Sequence, residues 1–453
     1  MNARALSRGT LLLFALPAVL QGFTHTVAGQ VLSGIYAKYF GLSLTALGGA
    51  VLFCKIADAV LDPAIGALSD RARRRHGKRK TWVLLGSLLT AAALWLLLRP
   101  ASGVTVAYFT LWYLVVYIGW SLTEIPYRAW SAELTKQYQE RTTIGVWILV
   151  MSLLGAVGVF LVPIIANALG TAADQKFTPQ SLAICSVIIV VATPLLAGLT
   201  FARVPEGVVH REHETQGFRE LSRTVLQNRP LLTLNLVFLL QSLASGMTNG
   251  VAFLYMDVYM GLGEKLAALL LVTVPIAIIS APVWGWLCNR YEKHRAWAVA
   301  IAGGSIASGL LGVVEPGDGA LVPLVILLLL NFFFGAATGV AMPSMMGDVV
   351  DHGRLMFGRD NAGTYYSFFT FIQKSITGLG MGLGMMMIGW FGFDATASEQ
   401  SMTGIFGIKM AYAFVPAVVG MLAVPLLLRH EITRARHAQI VRELERIDAG
   451  VRA

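Results

Sequence analysis

The chain has 453 residues, of which 13% are charged and 56% belong to the hydrophobic set, and its mean hydropathy is +0.66. Soluble domains average about 25% charged residues, so this composition excludes a water-soluble globular protein, a disordered chain and a disulfide scaffold. The net charge of +10 raises the question of nucleic-acid binding, and the answer depends on where the basic residues lie.

Apolar windows of membrane-spanning length follow one another along the chain. A spanning helix needs about 20 apolar residues. The windows lie near residues 9–37, 43–69, 81–98, 103–127, 143–168, 178–202, 231–260, 265–288, 296–314, 320–347, 363–392 and 404–428. The sequence therefore predicts an all-α integral membrane protein with twelve transmembrane helices in two pseudo-symmetric halves of six. The predicted parts are a first half 1–202, a central linker 203–230, a second half 231–428 and a tail 429–453.

Basic residues mark one side of the predicted membrane protein. They concentrate in the loop between helices 2 and 3, the loop between helices 8 and 9, the linker and the tail, whereas the opposite loops are nearly bare, with Arg99 between helices 3 and 4 and Lys176 between helices 5 and 6. Because basic loops stay in the cytoplasm, we expect both termini to be cytoplasmic in an inner membrane. The net charge is then a topology signal, and no nucleic-acid partner is expected. We expect the tail to be a helix resting on the protein or the lipid surface, with partner binding as the alternative.

An internal repeat relates the two halves. Four residues recur 219 positions later, and they are Pro63, Gly66, Leu68 and Arg71, matched by Pro282, Gly285, Leu287 and Arg290. A weaker echo links Pro126 and Arg141 to Pro343 and Arg359. Parallel repeats of six helices are typical of one large transporter class, with the substrate site between the halves.

The second predicted helix carries three charged residues. Lys55, Asp58 and Asp62 are spaced i, i+3 and i+7, so they share one helix face. Each costs about 2.5–3.5 kcal/mol if it is unpaired at the membrane centre. Two carboxylates and one ammonium leave a surplus negative charge, which Na⁺ or a proton would neutralise. A structural ion pair with a neighbouring helix is the alternative.

Other ionisable residues lie in later spans. Glu124 and Arg128 are spaced i, i+4 and either pair with each other or leave Glu124 facing a cavity as a ligand. Lys374 lies in an apolar helix and needs an anionic partner, for which Asp58 or Glu124 is expected. Asp257 lies nearer the outer end of its helix, where we expect it to snorkel to the surface.

Charges at the cytoplasmic helix ends are candidates for gating. Asp70 can accept hydrogen bonds at a neighbouring helix end, beside Arg71 in the basic loop. Asp348 and Asp351 are expected to contact Arg354, Arg359 or the basic loops. Arg141 follows the fourth helix at the position that echoes Arg359. These residues, together with Lys55, form the predicted charge-pair and gating set.

Several of these motifs resemble one known family. The stretch KIADAVLDP at residues 55–63, followed by Gly66, Asp70 and Arg71, resembles the signature of glycoside–pentoside–hexuronide:cation symporters. These are melibiose-permease-like members of the major facilitator superfamily. Residues 124–126 (EIP), residues 347–351 (GDVVD) and Lys374 resemble further motifs of that family.

The resemblance implies roles for individual residues. Asp58 and Asp62 would bind the coupling cation, as metal ligands if the cation is Na⁺. Glu124 and Lys374 would contact the solute, and we add Tyr127 and Arg128 to the predicted solute site. The melibiose permease has a second sugar-binding aspartate on helix 1, whereas residues 20–23 (LQGF) hold no acid here. A solute other than melibiose is therefore expected.

The sequence predicts a secondary transporter that imports a sugar or glycoside-like solute by alternating access, coupled to Na⁺ or H⁺. The alternative is a cation-coupled transporter of a lysolipid or other amphiphile on the same fold. The spacing of the histidines and acids forms no catalytic or metal set, so we do not expect an enzyme. We expect no cofactor besides the coupling ion, and a monomer surrounded by membrane lipid.

Overall fold

The structure is a computed structural model of the chain, and it describes residues 7–76, 78–135, 138–207, 225–359 and 362–451. Within these ranges every regular element is a helix. The first six long helices are α1 (Arg8–Phe40), α2 (Leu44–His76), α3 (Lys80–Leu97), α4 (Val106–Leu134), α5 (Tyr138–Ala168) and α6 (Pro179–Arg203). The next are α7 (Arg229–Tyr259), α8 (Gly263–Arg290), α9 (Lys293–Leu311), α10 (Leu321–Phe357), α11 (Ala362–Trp390) and α12 (Met402–Leu428), followed by α13 (Arg434–Val451).

The described helices match the predicted spans in number and order. Ten of them are long and apolar enough, by length and composition, to cross a membrane. The helices α9 and α11 are outside this set because polar residues lower their hydropathy, yet they contain 19 and 29 residues. A crossing needs about 20 residues, so all twelve helices have the length of a membrane span.

Two helices continue well beyond their apolar windows. The helix α2 runs to His76 and α10 runs to Phe357, although their apolar windows end near residues 69 and 347. The helix α10 stops where Gly358 adopts a left-handed conformation with φ +65°, which glycine allows at a helix C-terminus. These extensions are polar, and they carry Asp70 and Asp351 on regular helix instead of loop.

The chain divides into two compact units. Unit 1 comprises Met1–Glu212, Asn249–Leu271 and Met385–Gly407, and unit 2 comprises His213–Thr248, Val272–Gly384 and Ile408–Ala453. Unit 1 therefore includes short segments of the second sequence half. The predicted boundaries at 202, 230 and 428 follow the sequence repeat, and they stay a prediction. Most of the linker lies outside the described residues.

Within unit 1, α1 and α5 touch backbone to backbone. A Cβ on Gly22 would lie 1.8 Å from the Ser152 carbonyl oxygen, and a Cβ on Gly155 would lie 2.0 Å from that of Val19. Small residues at helix contacts are common in membranes, where close packing rather than the hydrophobic effect holds helices together. These two glycines set the distance between the two helices.

Replacing Gly155 with alanine is expected to destabilise the protein by about 1–3 kcal/mol, the usual cost of overpacking. The added Cβ meets backbone, which cannot rotate away. The matched control is Gly158→Ala on the same helix, where the Cβ would meet only a Phe23 ring atom at 3.9 Å. Thermal unfolding in detergent measures both. Equal melting temperatures for the two variants would contradict this account of the helix contact.

The tail helix α13 is part of unit 2 and packs on α10. Ile440 is fully buried, and Nε2 of His437 lies 3.0 Å from Oδ2 of Asp351 on α10. Before the helix begins, His430 is also buried, and burial, with the neighbouring imidazoles of His294 and His352, lowers its pKa to about 4. His430 is thus neutral near pH 7. The tail is therefore a helix that rests on the protein, which is one of the two positions that the sequence predicted for it.

Candidate functional site

The charged face of α2 packs against α4 inside unit 1. Asp58 is buried, with 3% of its surface exposed, and Ser121 Oγ donates a hydrogen bond to Asp58 Oδ1 at 2.8 Å. Lys55 is also buried, and its Nζ lies 3.7 Å from the centroid of the Tyr117 ring. Tyr117 and Ser121 are one turn apart on α4, so two successive turns of α2 face two successive turns of α4.

Asp62 extends this polar face by one further turn of α2. It is partly buried, and its Oδ1 atom is shielded from solvent. Pro63 follows inside the same helix, where it cannot donate a backbone hydrogen bond and so leaves a carbonyl oxygen of the preceding turn available. The face thus offers two carboxylates and the Ser121 hydroxyl, which are oxygen ligands that suit a hard cation.

Ser121 is a site residue that the sequence did not single out. Serine is common in membrane helices, and its hydroxyl usually bonds to its own backbone. The signal was its place one helical turn before Glu124, since residues spaced i, i+3 lie on the same face. Only the packing of α4 on α2 shows that its hydroxyl reaches Asp58.

Two tyrosines on α4 pack near Lys55. The hydroxyl oxygens of Tyr113 and Tyr117 lie 3.2 Å apart, and the Tyr113 hydroxyl donates to the Ala28 carbonyl of α1 at 3.3 Å. The Tyr117 ring faces the Lys55 ammonium, and a cation over an aromatic face is stabilised by about 2 kcal/mol when water is excluded. This contact holds the ammonium on the face of α2 that also carries Asp58 and Asp62.

Glu124 lies in a second polar group on α4. Arg128 donates to Glu124 Oε1 from two guanidinium nitrogens, at 2.7 and 3.1 Å, and Trp120 Nε1 donates to Oε2 at 2.7 Å. The i, i+4 pairing that the spacing allowed is therefore present. The Glu124 side chain is 18% exposed and that of Arg128 is 63% exposed, so the guanidinium is accessible while the carboxylate is largely covered.

Tyr127 has a different place from the one predicted. It is buried in the core of unit 1, stacked on Phe14 with 4.7 Å between ring centroids, and its hydroxyl donates to the Phe14 carbonyl at 2.7 Å. Tyr127 thus packs against α1, while Glu124 pairs with Arg128 one turn along α4. Tyr127 is not carried into the proposed site.

Lys374 belongs to α11 in unit 2, where it is partly buried. The predicted bridge from Lys374 to Asp58 or Glu124 therefore stays a prediction.

A dense charge cluster joins α2, α3, α4 and the end of α6. Glu133 lies 2.7 Å from Arg79 Nε and 3.2 Å from Arg73 Nε, while Arg79 also reaches Asp70 at 2.8 Å. Glu206 accepts from the Arg79 backbone N–H at 3.1 Å. The sequence had predicted that Asp70 accepts hydrogen bonds at the end of a neighbouring helix.

The arginines of this cluster are not the one that the sequence predicted, which was Arg71. The Arg71 side chain is exposed, and Arg73 and Arg79 hold the cationic positions of the cluster. Two residues further along a helix is a rotation of about 200°, so the packed face of α2 presents Arg73 and turns Arg71 outward. The side chain of Arg141 lies outside the described residues.

The corresponding end of unit 2 carries its own ion pairs. Lys293 Nζ donates to both carboxylate oxygens of Asp348 at 2.8 Å. Asp351 contacts the tail through His437. Arg359 is exposed in the turn after α10. Asp348 therefore meets the first residue of α9, which belongs to one of the basic segments that the sequence predicted as its partner.

The described residues form twelve long helices, and charged side chains such as Lys55 and Asp58 are buried within them. Residues 13–434 match the family described as MFS/sugar transport protein, and the chain belongs to that family. It is an integral membrane transporter with the major facilitator fold and is not an enzyme. The resemblance found in the motifs of α2 and α4 is confirmed at the level of the family.

Curated relatives and solved structures agree with this assignment. The chain is 24% identical over 437 residues to the putative glycoside/cation symporter YagG of Escherichia coli, covering 93% of this chain and 92% of the relative. It is 23% identical over 453 residues to the sodium-dependent lysophosphatidylcholine symporter 1-A of Danio rerio, covering 90% and 83%. Its fold is similar to that of a D-xylose-proton symporter, with a TM-score of 0.64, 15% identity and coverage of 93% and 97%.

Proposed function

We propose that this transporter carries a sugar or glycoside together with Na⁺ or H⁺. The cation site is formed by Asp58, Asp62 and Ser121, and the solute site on α4 includes Trp120, Glu124 and Arg128. The observation that carries the proposal is the burial of Asp58 at 3% exposure with a hydroxyl 2.8 Å from its Oδ1.

Electrostatics explain why this face needs a cation. Two carboxylates and the Lys55 ammonium sum to one negative charge, and a bound cation would lower the electrostatic energy of this face. A bound Na⁺ would be held by carboxylate and hydroxyl oxygens. A proton would be shared between carboxylates one helical turn apart, because two like charges in close contact raise the pKa of one of them.

The solute site suits a polyhydroxylated molecule. The exposed guanidinium of Arg128 offers hydrogen-bond donors, the Glu124 carboxylate offers acceptors, and the Trp120 ring offers a flat apolar face. Sugars combine hydroxyl groups with apolar ring faces, so this set of side chains matches both. The name of the Escherichia coli relative supports the same class of solute.

One turn of α4 connects the two proposed sites. Ser121 contacts Asp58. Its neighbour Trp120 donates a hydrogen bond from Nε1 to Oε2 of Glu124, one turn further along, at 2.7 Å. A cation that binds Asp58 would reposition Ser121 and with it the Trp120–Glu124 pair. Binding of the cation and of the solute would thus favour each other, which is the thermodynamic basis of coupled transport.

The chain is proposed to lie in the cytoplasmic membrane as a monomer, with both termini in the cytoplasm. The support is the concentration of basic residues in the loops around Arg73 and Lys293 and in the tail. The weaker alternative solute is a lysolipid, which is supported by the similarity to the Danio rerio symporter.

Uptake into proteoliposomes tests the proposal. Purified protein is reconstituted, and labelled hexosides, pentosides, uronides and a lysophosphatidylcholine are offered under an inward Na⁺ gradient, an inward proton gradient or neither. We expect one sugar class to accumulate under one gradient and to stop accumulating when an ionophore collapses it. Accumulation of the lysolipid alone, or sugar flux that neither gradient changes, would overturn the proposal.

A further inference from the structure

An ion pair joins the C-terminal ends of α1 and α7 in unit 1. Lys38 Nζ contacts Asp257 Oδ2, and the side chains are 26% and 2% exposed. The sequence had suggested that Asp257 snorkels to the surface, and the structure corrects this, because its carboxylate is buried against Lys38. Asp257 lies in a π-helical turn, Tyr255–Tyr259, a rare geometry that is frequent at functional positions.

A second contact lies one turn away on the same two helices. A Cβ on Gly34 would lie 2.3 Å from Phe253 Cδ1, so the α1 backbone presses directly on the Phe253 ring. Gly34 and Lys38 are four residues apart, as are Phe253 and Asp257, and residues at i, i+4 share a helix face. The two helices therefore meet along a strip at least one turn long.

Both contacts join a position to its own counterpart in the repeat. The separation from Lys38 to Asp257 is 219 residues, and that from Gly34 to Phe253 is also 219 (253 minus 34). This is the offset that relates Pro63 to Pro282. The strip is thus formed by equivalent residues of the two sequence repeats.

The Asp257 carboxylate is enclosed on a further side. A Cβ on Gly263, the first residue of α8, would lie 1.8 Å from Asp257 Oδ1. The start of a helix carries a partial positive charge that stabilises an anion. Outside this contact, Lys176 lies 3.4 Å from both Asp174 and Glu264. Asp257 is therefore held by Lys38 and by the start of α8, with an exposed charge group next to it.

We propose that the Lys38–Asp257 pair and the Gly34–Phe253 contact form a latch that closes one end of the transport pathway and separates in every transport cycle. In alternating access, one repeat moves against the other around a central site, so contacts between equivalent residues of the two repeats must break and re-form. The inference rests on membership of a transporter family and on no particular solute or cation.

Thiol labelling tests the latch without any solute. Phe253→Cys places a thiol at a position that is 3% exposed, and a membrane-impermeant maleimide reports how often this end opens. Adding Asp257→Asn is expected to speed alkylation at least tenfold, because the amide cannot replace the ion pair. The matched control is Asp394→Asn, an exposed carboxylate of unit 1 that contacts Thr396, and it should leave the rate unchanged.

Two substitutions of Lys38 separate a latch from simple damage to the fold. In the same thiol background, Lys38→Arg keeps the cation that pairs with Asp257 and should hold alkylation within about threefold of the slow rate, whereas Lys38→Gln should speed it as Asp257→Asn does. An alkylation rate unaffected by Asp257→Asn would overturn the proposal. So would a Lys38→Arg variant that is labelled as fast as Lys38→Gln.

A disulfide tests whether the contact must open during transport. A Cβ on Gly34 would lie 3.2 Å from Phe253 Cβ, close to the roughly 3.8 Å between Cβ atoms of a disulfide. Oxidised Gly34→Cys, Phe253→Cys protein should lose at least nine-tenths of its uptake and regain it on reduction, while the Phe253→Cys single variant keeps its uptake under the same oxidant. Absence of a crosslink, or a crosslinked protein that transports at full rate, would overturn the latch.

Failure of the reduced protein to carry any offered solute would count against the proposed function alone, because the labelling experiment needs no solute.

Discussion

Replacing Asp58 with asparagine is expected to abolish gradient-driven accumulation of the solute, lowering it at least tenfold. Asp58 is buried and bonded to Ser121, so its charge cannot be replaced by solvent. A hydrogen bond to a charged group contributes about 1.5–3 kcal/mol, and each 1.4 kcal/mol is about a tenfold change in affinity. Solute exchange without a gradient should persist, because the Trp120, Glu124 and Arg128 side chains are untouched.

Two comparison variants make the Asp58 result specific. Ser121→Ala should raise the cation concentration for half-maximal uptake by at least about tenfold, since it removes a hydrogen bond to a charged group, which contributes about 1.5–3 kcal/mol. Asp394→Asn removes an exposed carboxylate elsewhere in unit 1 and should behave like the unmodified protein. Full accumulation by correctly folded, membrane-inserted Asp58→Asn would remove this aspartate from the coupling mechanism.

Glu133→Gln is expected to have the largest effect on stability, lowering the free energy of unfolding by about 3–5 kcal/mol, the usual cost of breaking a buried ion pair. Glu133 lies between Arg73 and Arg79, and its side chain is 14% exposed. Removing its charge leaves two guanidinium groups close together with less compensation.

Asp70→Asn provides the matched comparison, because Asp70 contacts the same Arg79 with a side chain that is 52% exposed. Exposed ion pairs contribute about 0–1 kcal/mol, so this variant should melt close to the parent protein. The melting temperature in detergent, measured for both variants, checks the difference. Equal losses would show that burial does not determine the strength of this cluster.

The charged face of α2 could be predicted because its information is local. The spacing of Lys55, Asp58 and Asp62 fixes a common face on any helix, and the structure places the first two of these residues against α4. The partner could not be predicted in the same way. Which turn of α4 meets Asp58 depends on how two helices pack, and a single serine carries no local signal of that.

The position of a charged residue along its helix was easier to predict than the side chains that surround it. The sequence placed Asp257 near a helix end, and only the fold brings Lys38 and Gly263 around it. The same limit applies to the basic run at the end of α2, where rotation about the helix separates the paired Arg73 from the exposed Arg71. Tyr127 likewise shares a short motif with Glu124 but packs on Phe14.

The meeting of each residue with its own counterpart restricts which sequences this fold can have. In a chain of two identical repeats, position 38 would face a second lysine, or position 257 a second aspartate, and like charges in contact repel. Likewise, two glycines would leave a gap at the Gly34–Phe253 contact, whereas two phenylalanines would collide. A close, charged contact at this strip therefore requires the two halves to differ at these positions, and asymmetry between the repeats is a condition for closing this end of the protein.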